Sequence, residues 1–360
     1  MKITDNRSST KKAASDFLHQ LTVSTPIFIL GTNKYGLSCA RFLEEGQFKV
    51  VGFINDYTSD TYFHEYKIVK SDLDFGNCAL INCVVEGRSV EVASHLRSLN
   101  PLHYCDYFCL QFACSDKLLQ VDFLSDTDSI TENSDDYARI YDRLEDEQSK
   151  IEFENLMNFR LNRDLGFMMD FKLKLREQYF EDFLNFRNSK VFIDGGCFDG
   201  NTSLEFVKFC PDYKNVMIFE PNEKSFSNIK SRLGNLPCIT YYNKGLWQSS
   251  TTLFFNPDLG SASKIDDQGA DSIETISIDE VVSSRVDFIK LDIEGAELLA
   301  LKGGQETIAT YKPILAICTY HNQTDYINLP NFILQLVPSY KLSFRHYTQG
   351  VFESVYYFYE

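Results

Sequence analysis

From Val191 to the end of the sequence, strand-like apolar runs alternate with helix-like segments, and this alternation restricts the fold more than any other feature. Seven runs have the length and composition of strands, at residues 191–194, 216–220, 239–243, 288–292, 314–319, 340–347 and 354–359. Only the last two are joined by a connection short enough for a hairpin. Because parallel strands need long crossover connections, the pattern predicts an α/β fold whose mostly parallel sheet ends in one antiparallel pair.

The first third of the sequence shows a smaller version of the same alternation. After a polar lead-in of about 22 residues, strand-like runs at 26–30, 49–54 and 78–85 are separated by helix-like stretches. This order predicts a small α/β domain over residues 22–114. Residues 115–136 are acidic and rich in Ser and Thr, which indicates a linker, and residues 137–188 have helical periodicity. The larger domain then occupies residues 189–360.

Charge and composition restrict the partners and the compartment. The formal net charge is -16, so a nucleic-acid substrate is disfavoured by long-range repulsion. No apolar run is long enough to cross a membrane, and the first residues contain no secretory signal. The ten cysteines form no CxxC pair, and several lie in apolar runs, as expected for buried thiols in a reducing compartment. We therefore expect a cytoplasmic protein without a transmembrane segment.

The first strand of the larger domain leads into a glycine-rich turn with two acids. The turn contains Asp194, Gly195, Gly196, Asp199 and Gly200. Glycines let the backbone pass close to a ligand, whereas the carboxylates would repel a pyrophosphate and favour a cation. S-adenosylmethionine carries an ammonium and a sulfonium and no phosphate. The turn is therefore predicted to bind the methionine part of this cofactor.

A third acid follows the second strand. Glu220 comes 26 positions after Asp194, a little more than the roughly 20 that separate the turn from the ribose-binding acid in nucleotide-binding β-α-β units. We expect its carboxylate to accept hydrogen bonds from both hydroxyls of a ribose. The alternative is that Glu220 only caps the helix that starts after Pro221.

Acids and a histidine meet after the fourth and fifth strands. Three acids, Asp292, Glu294 and Glu297, follow the fourth strand, and His321 follows the fifth. Open α/β sheets bind their ligands at this edge. His321 is our first candidate for a general base, because its ordinary pKa lies near neutrality and an acid could orient it. Alternatively, Asp292 and Glu294, together with His321, bind a divalent metal such as magnesium, or His321 has only a capping role.

From about residue 140 onward the sequence resembles the FkbM family of class I methyltransferases. The matching segments are 178–180, 192–200, 219–221, 260–263, 278–280, 290–297, 320–321 and 345–347. The resemblance implies a seven-stranded sheet of order 3-2-1-4-5-7-6. It also implies methyl transfer from S-adenosylmethionine to a hydroxyl, usually of a sugar or a secondary metabolite, with Ser261 and Asp292 among the cofactor contacts. A sugar or glycan acceptor is the partner that we expect.

The N-terminal domain resembles, more weakly, the Rossmann-like domains attached to enzymes of bacterial surface-sugar assembly. Its turn has Gly31 and Gly36 but carries Lys34 and Tyr35 where the full dinucleotide motif needs a glycine, and Asp56 could face a ribose. We favour a role in scaffolding, dimerisation or acceptor docking, which is compatible with a homo-oligomer. The alternatives are a nucleotide-sugar-binding or NAD-dependent sugar-modifying function of this domain, and a non-catalytic cofactor-binding protein.

Overall fold

A computed structural model describes residues 1–125, 127–255 and 271–360. The chain divides into two compact units, each made of three separate stretches. The first unit contains Met1–Asn133, Ile151–Lys174 and Tyr347–Phe352. The second unit contains Ser134–Lys150, Leu175–His346 and Glu353–Glu360.

These units do not follow the predicted boundaries at residues 114, 136 and 188. The predicted linker contains buried apolar side chains at Leu118, Val121 and Leu124, and its residues up to Asn133 belong to the first unit, so it is not an exposed connection. The predicted helical lead-in is shared, because residues 151–174 also belong to the first unit. Sequence composition identified a polar segment but could not show which of its few apolar side chains are buried.

The first unit is built on a six-stranded sheet. Its strands are β1 (Pro26–Leu30), β2 (Lys49–Ile54), β3 (Tyr62–Phe63), β4 (Tyr66–Val69), β5 (Ala79–Asn82) and β6 (His103–Asp106). The order is β3-β4-β2-β1-β5-β6, and all neighbours are parallel except β3 and β4. Its helices are α1 (Arg7–Gln20), α2 (Lys34–Glu45), α3 (Ser89–Ser98), α4 (Tyr107–Ala113) and α5 (Asp128–Glu132). Helix α1 replaces the predicted loose lead-in, because Ala14 and Phe17 are buried on one of its faces.

The second unit is built on a seven-stranded sheet. Its strands are β7 (Val191–Gly195), β8 (Asn215–Phe219), β9 (Ile239–Tyr242), β13 (Phe288–Leu291), β14 (Ile314–Cys318), β15 (Lys341–His346) and β16 (Ser354–Tyr359). The order is β15-β16-β14-β13-β7-β8-β9. When these seven strands are counted along the chain, this is the order 3-2-1-4-5-7-6 that the resemblance implies. Strand β16 is antiparallel to β14 and β15, and the other neighbours are parallel.

Three further strands form a small separate sheet that the sequence did not predict. They are β10 (Gly245–Leu246), β11 (Thr252–Phe255) and β12 (Asp271–Ile276), in the order β10-β12-β11. They were missed because the predicted strands were the long apolar runs, whereas β10 has only two residues and β12 is largely polar.

Eight helices complete the described secondary structure, together with 3-10 turns at Leu165–Met168 and Phe186–Asn188. The helices are α6 (Ser134–Arg143), α7 (Glu147–Asn162), α8 (Asn201–Phe209), α9 (Glu223–Leu233), α10 (Ile278–Val281), α11 (Glu297–Lys302), α12 (Gln305–Tyr311) and α13 (Asp325–Leu336). Helix α7 begins in the second unit and continues into the first. Among the described residues, no helix combines the length and the apolar character that a membrane crossing requires.

Candidate active site at the carboxyl edge of the second sheet

Two glycines of the turn after β7 have backbone positions that exclude a side chain. Gly196 has φ +75°, and a Cβ built on it would lie 1.7 Å from the carbonyl oxygen of Asp292. Gly200 has φ +82° and directly precedes helix α8. Both angles lie in the left-handed region that L side chains rarely adopt. The turn therefore packs directly on the backbone at the end of β13, and this contact explains the glycine at position 196.

Asp194 lies beneath this turn and does not line its outer surface. Its fully buried carboxylate accepts a hydrogen bond from Ser203 Oγ at 2.7 Å and forms an ion pair with Lys290 Nζ at 3.2 Å. Burial lowers the pKa of Lys290, but Asp194 and Asp292 more than offset this and raise it above its ordinary value. The predicted attraction between Asp194 and a ligand ammonium is thus replaced by an ammonium of the chain itself. The signal that could have identified Lys290 is a single charge inside an apolar strand.

Asp199 and Phe198 lie on the exposed side of the turn. Asp199 accepts a hydrogen bond from Asn201 N at 2.9 Å and pairs with Arg232 at 3.3 Å. Phe198 has φ +49°, and its ring is largely exposed. The two acids of the turn are therefore not brought together, and only Asp199 remains accessible.

Glu220 connects the end of β8 to the turn. Its Oε2 accepts a hydrogen bond from Phe198 N at 3.0 Å, and its Oε1 accepts one from Asn222 N at 2.9 Å. The cap of helix α9 is Asn222, whose side chain accepts from Ser225 N at 3.0 Å. The helix-capping alternative for Glu220 is therefore wrong. Each carboxylate oxygen still has a lone pair for a further donor.

His321 follows β14 and is surrounded by carboxylates. Its Nδ1 lies 3.0 Å from Glu297 Oε1, and its Nε2 lies 3.5 Å from Asp292 Oδ1 and 3.7 Å from Glu294 Oε2. The structure thus brings together the three residues that the sequence predicted here. It adds Glu297, which is fully buried and whose Oε1 also accepts from Ile293 N at 2.9 Å. Glu297 is one of the three acids that the sequence showed after the fourth strand, but it begins helix α11 and was not predicted to be a site residue.

The acids change the protonation of His321. Burial lowers the pKa of the imidazole, but Glu297, Asp292 and Glu294 together raise it to about 9. The expectation of a pKa near neutrality is therefore wrong, because the sequence could not show how many carboxylates surround the ring. Burial raises the pKa of Asp292, but Lys290, His321 and a hydrogen bond from Tyr179 hold it below its usual value.

Two tyrosines, one before β7 and one after β14, bind the carboxylate of Asp292. Tyr179 Oη donates to Asp292 Oδ2 at 2.9 Å, and Tyr320 Oη donates to Oδ1 at 3.3 Å. Next to Tyr179, Gln178 Nε2 donates to Glu353 Oε2 at 2.5 Å. Burial and Asp292 raise the pKa of Glu353 to about 7. The segment at 178–180, whose role the sequence did not define, therefore contacts the same acidic site.

The donor atoms that could hold a metal differ from the predicted set. Ligand atoms of Asp292, Glu297 and His321 lie within 4.8 Å of one another. Glu297 thus takes the place that the sequence gave to Glu294, whose side chain is 60% exposed. The predicted cofactor contact Ser261, with the whole segment 260–263, lies outside the described residues.

In the first unit, the corresponding turn is held by the chain's own side chains. Asn33 accepts from the backbone N–H groups of Tyr35 and Gly36 and caps helix α2. Lys34 pairs with Asp122 at 2.5 Å, and Tyr35 Oη accepts from Asp122 N at 3.2 Å. These contacts place residue 122 against the start of α2, where a dinucleotide would need the backbone to be accessible.

Asp56 is also engaged within the first unit. Its two carboxylate oxygens accept from Ser71 N and Ser71 Oγ, each at 2.8 Å. The expectation that Asp56 faces a ribose is therefore not supported, because its carboxylate connects two loops of its own sheet.

Known methyltransferases are similar to this chain in sequence and in fold. The sequence model of the methyltransferase FkbM domain matches residues 194–345. The chain is 25% identical over 179 residues to the 2-O-methyltransferase NoeI of Sinorhizobium fredii, covering 42% of this chain and 72% of that protein. The crystal structure of methyltransferase FkbM from Methylobacillus flagellatus shares the fold, with a TM-score of 0.73, 23% identity and 98% of both chains covered. Residues 194–345 therefore form a methyltransferase FkbM domain, and the comparisons support an S-adenosylmethionine-dependent methyltransferase.

Proposed function

We propose that this methyltransferase transfers the methyl group to a hydroxyl of a sugar or glycan. The observation that carries the proposal is the position of His321, between Glu297 on one side and Asp292 and Glu294 on the other. Methyl transfer to a hydroxyl needs alignment and removal of one proton. An imidazole held by a buried carboxylate provides a proton acceptor with a fixed orientation.

The two ring nitrogens of His321 have different roles in this proposal. Glu297 accepts the Nδ1–H and so fixes the plane of the ring and its tautomer. Nε2 then faces Asp292 and Glu294 and takes the proton from the hydroxyl of the acceptor. Because the surrounding carboxylates favour the protonated ring, the neutral form that can act as a base becomes more abundant as the pH rises towards 9.

The turn after β7 and Glu220 would hold the cofactor, which supplies an electrophilic methyl group when bound. The residues fit this ligand in two respects. Gly196 leaves no space for a Cβ between the turn and β13, and Glu220 keeps lone pairs for two ribose hydroxyls beside the backbone N–H groups that it already binds. We assign Gly195, Gly196, Gly200, Glu220 and Asp292 to this surface. Asp194 supports it from beneath.

A divalent cation at Asp292, Glu297 and His321 is the second route to an acidified hydroxyl. Two carboxylates and one imidazole are a donor set that several divalent metals accept, and such an ion lowers the pKa of a bound hydroxyl. Treatment of the protein with a chelator separates the two routes. Full activity after chelation supports the base, whereas loss that added Mg²⁺ or Mn²⁺ restores supports the metal.

The O-methyl specificity is supported by the name of the relative NoeI, a 2-O-methyltransferase, and the sugar acceptor by the family resemblance. The test is incubation with methyl-labelled S-adenosylmethionine and glycan fractions from the organism that makes the protein. We expect label in an alkali-stable methyl ether of a sugar, and no label with the His321→Ala variant. Label in a protein, lipid or nucleic-acid fraction instead would contradict the sugar acceptor. A cytoplasmic location and a homo-oligomer stay predictions.

A further inference from the structure

Lys290 is a charged residue in the middle of the second sheet. It lies in β13 and is 2% exposed. Its ammonium donates to the carbonyl oxygens of Gly196 at 2.7 Å and Gly195 at 3.2 Å, and it pairs with Asp194 Oδ1 at 3.2 Å. The three acceptors all belong to the end of β7 and the turn that follows.

The number of acceptors distinguishes between two roles for this lysine, a counter-ion of Asp194 and a residue that holds the turn in place. An ammonium has three N–H donors, and neutralisation of Asp194 needs only one of them. The other two reach backbone carbonyls of the turn, one of which belongs to the residue that has no space for a Cβ. Asp194 also has a second donor in Ser203. The geometry is therefore more specific than that of a simple counter-ion.

The carbonyl bonds affect where the rest of the turn lies. Two residues after Gly196, the backbone N–H of Phe198 donates to Glu220, which we expect to bind the ribose. Lys290 binds the carbonyls of Gly195 and Gly196 at the start of the turn, and Glu220 binds the N–H of Phe198 two residues later. The turn is therefore held at both ends. Release of one end would let the turn move relative to Glu220.

We propose that Lys290 is a positioning residue for the cofactor: it holds the glycine turn in its binding geometry through the two carbonyls, independently of the charge of Asp194. The proposal rests on the placement of S-adenosylmethionine at this turn and not on the identity of the acceptor. It can therefore be tested by cofactor binding alone.

The experiment compares Asp194→Asn, Lys290→Met and the double variant by calorimetric titration with S-adenosylmethionine and by melting temperature. Asp194→Asn keeps both carbonyl bonds and should bind the cofactor within about threefold of the parent. Lys290→Met leaves a buried carboxylate without its cation and should melt far lower. The double variant removes the ammonium together with the Asp194 carboxylate, so its melting temperature should recover in part, because Asp292 still lacks the nearby ammonium. Its cofactor affinity should stay at least about tenfold below that of the parent, a loss expected from two hydrogen bonds to a charged donor.

The outcomes distinguish the two roles of Lys290. A double variant that binds within threefold of the parent would show that Lys290 is only a counter-ion, and so would an equal loss in Asp194→Asn alone. If the double variant does not fold, Asp194→Asn with Lys290→Gln, which restores an uncharged N–H donor, should bind more tightly than Asp194→Asn with Lys290→Leu. Equal affinities of these two would overturn the proposal. Glu220→Ala, measured in the same series, shows whether the cofactor lies at this turn at all.

Discussion

The two units contain sheets that begin in the same way but differ at the edge where parallel sheets bind ligands. In both, a strand leads through a glycine turn into a helix, and a glycine lies against a backbone carbonyl, Gly36 against Gly31 and Gly196 against Asp292. In the first unit, the acid after the second strand, Asp56, binds Ser71. In the second unit, the Glu220 carboxylate accepts from backbone N–H groups of the turn and of its own loop.

The fold of a β-α-β unit does not by itself determine its function, which depends on the groups at its ligand-binding edge. What differs is the partner of each polar group at the carboxyl edge. In the first unit, Asn33, Asp56 and Asp122 all bind groups of their own sheet and its loops. In the second unit, the carboxylates of Asp292 and Glu294, which follow β13, and of Glu297 at the start of α11 converge on His321. We therefore assign the chemistry to the second unit.

The substitution His321→Ala is expected to have the largest effect. Loss of a general base should lower turnover by roughly 10²–10⁴-fold, while affinity for S-adenosylmethionine, measured by calorimetry, should change only a few-fold. The exposed His95 of the first unit provides a matched control, and His95→Ala should have the activity of the parent. Turnover close to that of the parent in folded His321→Ala would leave Asp292 and Glu294 as the remaining candidates.

The pH dependence gives the next largest effect. A base must be unprotonated, and the carboxylates around His321 raise its pKa to about 9. Turnover at saturating cofactor should therefore rise roughly tenfold per pH unit between pH 6 and 8 and level off near pH 9. The comparison is with His321→Ala, whose residual rate should lack this slope. A profile of the parent that is flat above pH 7 would contradict a histidine base in this environment.

Glu220→Ala should weaken cofactor binding without the full loss of turnover. Each hydrogen bond from a ribose hydroxyl to a charged acceptor contributes about 1.5–3 kcal/mol, and the variant also loses the bond from Phe198 N to the turn. The dissociation constant for S-adenosylmethionine, measured by calorimetry, should rise at least about tenfold. An unchanged constant would mean that the ribose lies elsewhere.

The smallest effect is expected at Asp56, which follows the second strand of the first sheet as Glu220 follows the second strand of the larger sheet. Asp56→Ala should leave S-adenosylmethionine affinity within about twofold and lower the stability by about 0.5–1.5 kcal/mol, because Ser71 exchanges two exposed hydrogen bonds for bonds to water. The full chain should show no heat of binding with NAD, because Asp122 contacts Lys34 and Tyr35 at the turn. Micromolar NAD binding by the parent would remove the distinction between the two units.

The alternation of strands and glycine turns was enough to predict the larger sheet. All seven long strands of the second unit lie where apolar runs predicted them, because six of them are largely buried and therefore continuous in their hydrophobicity, while the edge strand β9 is half-buried. The same reasoning placed Glu220, Asp292, Glu294 and His321 at one edge, since parallel strands end together. The residues that were missed are polar groups inside the sheet or distant in sequence, such as Lys290 and Glu353.

Three features could not be read from the sequence for physical reasons. The direction in which Asp194 points depends on Lys290, which is 96 positions away, and no local pattern connects them. The pKa of His321 depends on the distances to three carboxylates. The division of the chain depends on which apolar side chains between residues 115 and 188 are buried, and a polar composition does not exclude burial of a few.

The position of β16 has a consequence for how the second sheet can be assembled. This strand comes last among the described strands, yet it lies between β14 and β15, both of which precede it. Until residues 354–359 are added, β14 and β15 each present an unpaired edge, and such edges promote pairing between chains. During synthesis the nascent sheet is therefore open at an interior position and at risk of aggregation. A stop codon at position 354 would remove β16 and leave that gap permanently, so loss of this short segment should be more damaging than its length suggests.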